Sequence, residues 1–146
     1  MPKDQPSFWR GQSPRLTSAE QGSEIHARFP QFIKIGYGDG SQWIGVLTTV
    51  VGNKYKIRIE YGHNGTPKVF MVDPQIDPGC LHKYDDGSMC LYWPSDPDNE
   101  PWKETSSLAR VIIPWCAVWL HFYDRWLATG VWEGPEKQHG KIVEGL

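Results

Sequence analysis

Long apolar runs are missing from this chain: none reaches the roughly 18 to 20 residues that a membrane-spanning helix needs, so no membrane partner is expected. The opening residues MPKDQPSFWR lack the apolar segment of a secretion signal. An excess of one charge is missing as well. Fifteen basic and seventeen acidic residues leave a formal charge of −2, without the basic surplus that capture of nucleic acid demands. Cysteine is scarce. Three cysteines without regular spacing do not make a disulfide framework. Cys80 and Cys90 stand ten apart, and no second pair of Cys or His completes a zinc site, so neither metal nor cofactor is expected. A reducing cytoplasm, where a thiol stays available, fits this usage. The glycine-rich run Gly36-Tyr37-Gly38-Asp39-Gly40 lacks the lysine and the following helix of a phosphate-binding loop, and reads as a turn.

Large aromatic residues are what the chain has in quantity: eight tryptophans, six tyrosines and five phenylalanines in 146 residues. That length suits one domain with a real core. Residues 1–14 read as an extended lead-in and residues 15–146 as the domain. An amphipathic helix is predicted from Ser13 or Pro14 to about Arg28, with Leu16, Ala19, Ser23 and Ala27 on one face. Strands follow over 29–36, 43–51, 55–61 and 68–72, separated by glycine-rich turns. In the third, Tyr55, Ile57, Ile59 and Tyr61 alternate with Lys56, Arg58 and Glu60, the pattern of a sheet with one dry face. Consecutive hairpins make an antiparallel meander. Thr105 or Ser106 is expected to cap a long helix reaching about Thr129 and ended by Gly130. Pro114 should kink or divide that helix. Leu108, Val111, Ile112, Trp115, Cys116, Trp119, Phe122, Tyr123 and Trp126 form its core stripe, with Cys116 a buried filler, and Trp132 beyond the helix is placed to dock.

The stretch from His82 to Leu91 organises the rest. An Asp86-Gly87 turn supplies the positive φ that a tight bend often needs, and hands directly to Met89-Cys90-Leu91. A thiol just past such a bend is either a small core residue or a nucleophile held on rigid backbone. Between Trp93 and Trp102 the run PSDPDNEP reads as an exposed loop, with Asp96, Asp98 and Glu100 close to Cys90 in sequence.

Pro67-Lys68-Val69-Phe70, the run Asp86 to Leu91, Trp102 and Ser106-Ser107-Leu108 together resemble the catalytic core of ubiquitin-conjugating enzymes in order and approximate spacing, over about a third of the chain. The resemblance implies the α+β UBC-like fold: an N-terminal helix, a four-stranded antiparallel meander, the active-site segment and C-terminal helices. It implies that Cys90 is the thioester-forming nucleophile, and that Asp96, Asp98 and Glu100 orient or deprotonate an incoming amine, the alternative being that they keep the loop solvated. The family's His-Pro-Asn motif is absent. His82 stands eight residues before Cys90, where the asparagine would be, and Cys80-Leu81-His82 occupies the motif's place. An imidazole N–H can replace the amide donor, or a charged ring can stabilise developing negative charge. The alternative is a histidine bonded to the loop for structure alone.

The aromatic-rich run WLHFYDRWLATGVW is similar to the compact bacterial relatives found in antiphage (CBASS) operons. That resemblance implies a protein substrate with a flexible C-terminus, either a cGAS-like nucleotidyltransferase or a ubiquitin-like protein, with or without a separate activating enzyme. The expected function is a cysteine acyltransferase of antiphage defence. Two rivals stand against it: an inert conjugating-enzyme variant that only holds a partner, and a cysteine hydrolase, for which no second histidine and carboxylate show protease context.

Overall fold

The computed structural model describes residues 15–36, 40–62, 66–91 and 102–134. Helix α1 (Ser18–Arg28) opens on a capping box. Thr17 Oγ1 accepts from the Glu20 N–H (3.1 Å) and the Glu20 carboxylate accepts from the Thr17 N–H (2.8 Å), so two otherwise unpaired donors are satisfied. The buried face of α1 differs from the sequence expectation: Gln21 and Ile25 are buried, while Ala19, Ser23 and Ala27 are exposed. The reason is specific pairing. Gln21 Nε2 donates to the Ser106 carbonyl (3.0 Å) and Gln21 Oε1 accepts from the Leu108 N–H (2.8 Å), so a wholly buried amide bolts α1 to the start of the second helical region.

Four strands follow: β1 (Ile33–Ile35), β2 (Gln42–Thr48), β3 (Lys54–Glu60) and β4 (Lys68–Asp73). They pair antiparallel in the order β1-β2-β3-β4, the expected meander. Side-chain alternation sends Tyr55, Ile57 and Ile59 of β3 inward beside Trp43 of β2 and Val69 and Met71 of β4. Each such buried side chain stabilises the fold by roughly 1.5–3 kcal/mol. Gly45 interrupts the inward side of β2 because the Phe32 ring lies on it: a Cβ there would come within 2.6 Å of that ring. The second strand is shorter than its sequence suggests. It ends at Thr48, the Thr49 N–H bonds the Asn53 carbonyl (2.9 Å), and Val50 and Val51 stand exposed at the hairpin tip.

The expected long helix begins one residue later than Ser106, and in a wider coil. Ser106 is occupied elsewhere, its Oγ accepting from the Lys103 N–H (2.9 Å). Ser107 therefore caps the helical run, taking the Arg110 N–H on its hydroxyl. Leu108–Ile112 is a π-helical segment, closed by the Ile113 N–H on the Leu108 carbonyl. Helix α2 (Ile113–Thr129) continues from it with Pro114 in its first turn, so the residue that cannot donate stands where the coil changes type. Pro114 thus marks a change of helix type, from π to α, within a helical run that is continuous among the described residues. Gly130 ends α2 in the left-handed conformation (φ 79°), as read from the sequence.

Helix α2 is fastened to the sheet at the far end of β3. The Tyr55 hydroxyl and Asn53 Nδ2 both donate to Asp124 Oδ1, and the Tyr55 and Tyr123 rings meet edge to face at 5.9 Å. Burial works against the Asp124 carboxylate, but hydrogen bonds from Thr49, Tyr55 and Asn53 outweigh it and hold its carboxyl below the usual range. Cys116 lies wholly inside the core, as expected of a filler. Among the described residues no helix is long and apolar enough to cross a membrane.

Candidate active site

Past β4 the chain makes a cis Asp73–Pro74 bond and enters the loop that carries Cys90. The Asp77 N–H donates to the Tyr123 hydroxyl (2.8 Å), tying the loop to α2. Asp77 Oδ1 accepts from the Gly79 N–H and its carbonyl from the Cys80 N–H, which bends the chain so that Cys80 points into the core. Lys83 Nζ then closes the bend by donating to the Cys80 carbonyl (2.7 Å).

Residues 82–90 form a short antiparallel loop with Asp86-Gly87 at its tip. The Lys83–Met89 bridge, the Tyr84 N–H on the Ser88 carbonyl (2.8 Å) and the Gly87 N–H on the Tyr84 carbonyl (2.8 Å) hold its limbs together. Gly87 has φ 89°, the left-handed value that the Asp-Gly pair foretells. The Asp86 carboxylate fixes the tip: Oδ1 accepts from the Ser88 N–H (2.9 Å) and the Ser88 hydroxyl (2.6 Å), and Oδ2 from Lys68 Nζ (2.8 Å). The Lys68 ammonium, with the Ser88 donors, holds the Asp86 carboxyl down at about 2. The Met89 N–H bonds the Val69 carbonyl (2.8 Å), so the loop is docked on β4 through the Lys68-Val69 pair.

Cys90 comes next. Its N–H donates to the His82 carbonyl (3.1 Å), and the residue is 5% exposed. The same carbonyl accepts from Trp119 Nε1–H (3.1 Å), so one oxygen joins the two limbs of the loop to α2. Cys90 lines a recess of about 230 Å³, counting the space open to solvent, with Leu91, Trp115, Val118, Trp119, Phe122 and Trp132. A larger recess borders Ser41, Glu60, Tyr61 and Lys68, but no thiol lines it. The His82 ring stacks on Trp132 with centroids 4.0 Å apart and planes 22° from parallel. Burial pushes the thiols of Cys80 and Cys116 up, so both are poor nucleophiles at neutral pH.

The structure therefore brings His82 and Cys90 together through a backbone bond, and gathers four rings of α2 and the following segment, Trp115, Trp119, Phe122 and Trp132, around them. Asp96, Asp98 and Glu100 lie outside the described residues. By sequence Trp115, Trp119 and Phe122 belong to the core stripe of the last helix. Their spacing places them on one helical face but carries no sign of a recess, and Trp115 and Phe122 are only half-buried beside Cys90. Trp132 docks as expected, and does so on His82.

No curated protein matches this chain significantly. A family model described as type II CBASS E2 protein matches residues 21–140, which runs from α1 through the sheet, the Cys90 loop and α2. The helix, four-stranded antiparallel meander, cysteine-bearing loop and final helix agree with that match, and the chain belongs to the type II CBASS E2 protein family.

Proposed function

We propose that Cys90 accepts a protein C-terminus as a thioester and passes it to an amine, acting in antiphage defence on the tail of a cGAS-like nucleotidyltransferase or of a ubiquitin-like protein. One observation carries the reading: the DGSMCL turn, docked on β4 and bonded at its base to the His82 carbonyl, holds Cys90 on fixed backbone beside a recess, in a chain of this family. In the first step the Cys90 thiolate attacks an activated C-terminal carbonyl. A carbon–sulfur bond forms, the bond from that carbon to its activating group breaks, and the thiol proton passes to solvent or a base. In the second step an amine nitrogen attacks the thioester carbon; the carbon–nitrogen bond forms as the carbon–sulfur bond breaks, the Cys90 sulfur leaves as thiolate, and the amine proton passes to solvent or a base.

His82 takes the part of the family's asparagine, its ring N–H serving the loop or the oxyanion, while its carbonyl anchors Cys90 and Trp119. Asp96, Asp98 and Glu100 are assigned to the incoming amine on the resemblance alone. The burial of Cys90 favours a second reading, a binding module that holds a partner and transfers nothing.

Intact-mass analysis with an activated donor separates the two. The account expects an adduct that hydroxylamine removes, lost in Cys90→Ala and kept in Cys80→Ala and Cys116→Ala. An adduct that persists in Cys90→Ala contradicts it, and no adduct in the wild type leaves the binding module. Single-turnover transfer then tests His82. If its ring is a donor, His82→Asn keeps substantial transfer while His82→Ala loses on the order of 100-fold. Equal failure of both variants would mean a base or a charge instead.

A further inference from the structure

The segment after α2 folds back on the helix it has just left. Gly130 reverses the chain, its N–H returning to the Trp126 carbonyl (2.7 Å). Thr129 Oγ1 accepts from the Val131 N–H (3.1 Å) while donating to the Arg125 carbonyl (2.8 Å), and Glu133 pairs with Arg125. Gly134 presses on Phe122, where a Cβ would come within 2.5 Å of the ring. These tethers present Trp132 to the recess that Cys90 lines. Its ring lies flat on His82 at 4.0 Å and meets Trp119 at 5.5 Å and Phe122 at 6.2 Å.

The hold on the strap is weak where it is polar. Arg125 and Glu133 are 47% and 43% exposed in their side chains, and Val131 is exposed too. A segment that alternates exposed Val131 and Glu133 with half-buried Trp132 and Gly134 belongs to the low end of local stability. The cysteine that shares its recess is the opposite case: with 5% of the residue exposed, Cys90 is too enclosed to meet a protein chain end without movement. Something on the recess wall has to leave. Trp115, Trp119 and Phe122 are fixed on α2, and Trp132 alone among the described aromatic lining residues stands on a hinge, with a left-handed glycine two residues before it.

We propose that Trp132 is a gate on Cys90: stacked on His82 it closes the recess, and it swings out about Gly130 to admit the chain end that the thiol will carry. Closing again over the bound chain end excludes water, which guards an acyl-sulfur bond from hydrolysis. The gate rests on the reading of Cys90 as the reacting thiol for its purpose, while its geometry stands without it.

The test is alkylation of the full native chain by iodoacetamide, read on tryptic peptides. Cleavage after Lys68, Lys83, Lys103, Arg110 and Arg125 leaves Cys80, Cys90 and Cys116 on separate peptides, 69–83, 84–103 and 111–125. An open form populated at about 0.1–10% slows labelling 10- to 1000-fold, so Trp132→Ala should accelerate it at Cys90 by at least about tenfold. Cys80 and Cys116 should keep their wild-type rates. Glu133→Ala leaves every ring in place and loosens only a tether. It should accelerate Cys90 by less, and it keeps the test open should Trp132→Ala misfold. Wild-type labelling of Cys90 in both variants, or equal acceleration at all three cysteines, overturns the gate. Faster labelling in a protein that forms no hydroxylamine-labile adduct overturns the thioester reading and leaves the gate standing.

Discussion

On one side of Cys90 the chain is fixed by charge and hydrogen bonds; on the other it is enclosed by rings. The turn side depends on the Asp86 carboxylate, with Lys68 and two Ser88 donors on it, at a partly exposed surface. The ring side depends on the Trp119–Tyr123 stack at 5.0 Å, the His82–Trp132 stack and the apolar faces of Phe122 and Trp115. A hydrogen-bonded turn fixes where the backbone goes, because its geometry is directional. Packed rings fix what can enter, because they fill space and exclude water. The His82 carbonyl is where the two systems meet, accepting one N–H from the turn's end and one from the α2 indole. Disturbing either side should therefore have a different signature.

Trp119→Ala should do the most damage. The residue is 3% exposed, and truncating a buried tryptophan costs about 3–5 kcal/mol, enough to lower the melting temperature by many degrees. Thermal unfolding at the wild-type temperature with transfer lost would place Trp119 at an interface instead. Trp119→Phe sharpens the comparison: it keeps a ring but removes the donor to His82, so the loss should fall to about 1 kcal/mol.

The acid response should belong to the turn side alone. The folded pKa of Asp86 lies below its unfolded value, so its stabilisation is fully present above about pH 4 and is lost as pH falls towards the folded value of about 2. Hydrogen exchange, corrected for intrinsic rates, should show the Gly87 and Ser88 amides losing protection on acidification before the amides of α2 do. Uniform loss across both sides would mean that the turn has no stability of its own. Smallest of all should be the salt effect on the exposed Lys68–Asp86 pair, read as a slight fall in melting temperature of the wild type that Asp86→Asn no longer shows.

The same division explains what the sequence made legible. The alternation of Tyr55, Ile57 and Ile59, the Asp86-Gly87 bend and the Gly130 stop are local signals: neighbouring residues and backbone φ decide them, and each stands where it was read. The buried face of α1 was not local. Gln21 is inside because two backbone groups 85 and 87 residues away need its amide, and no helical periodicity contains that fact. The π-helical start of the last helical run escaped for a similar reason, since Ser106 had a partner in Lys103 that moved the cap to Ser107. The α2 stripe was legible as apolar, but not as divided between core and recess. Periodicity gives the face a side chain is on, and says nothing of whether that face meets packed protein or an opening.

The proposed acyl transfer turns on which thiol carries the adduct. Tryptic mapping of the isolated adduct, under brief digestion at mildly acidic pH to spare the thioester, reads the answer from three peptides that each carry one cysteine. The account predicts the added mass on peptide 84–103, with Cys90, and unmodified thiols on peptides 69–83 and 111–125. Added mass on either of the other two, or a hydroxylamine-resistant bond on any of them, would contradict it.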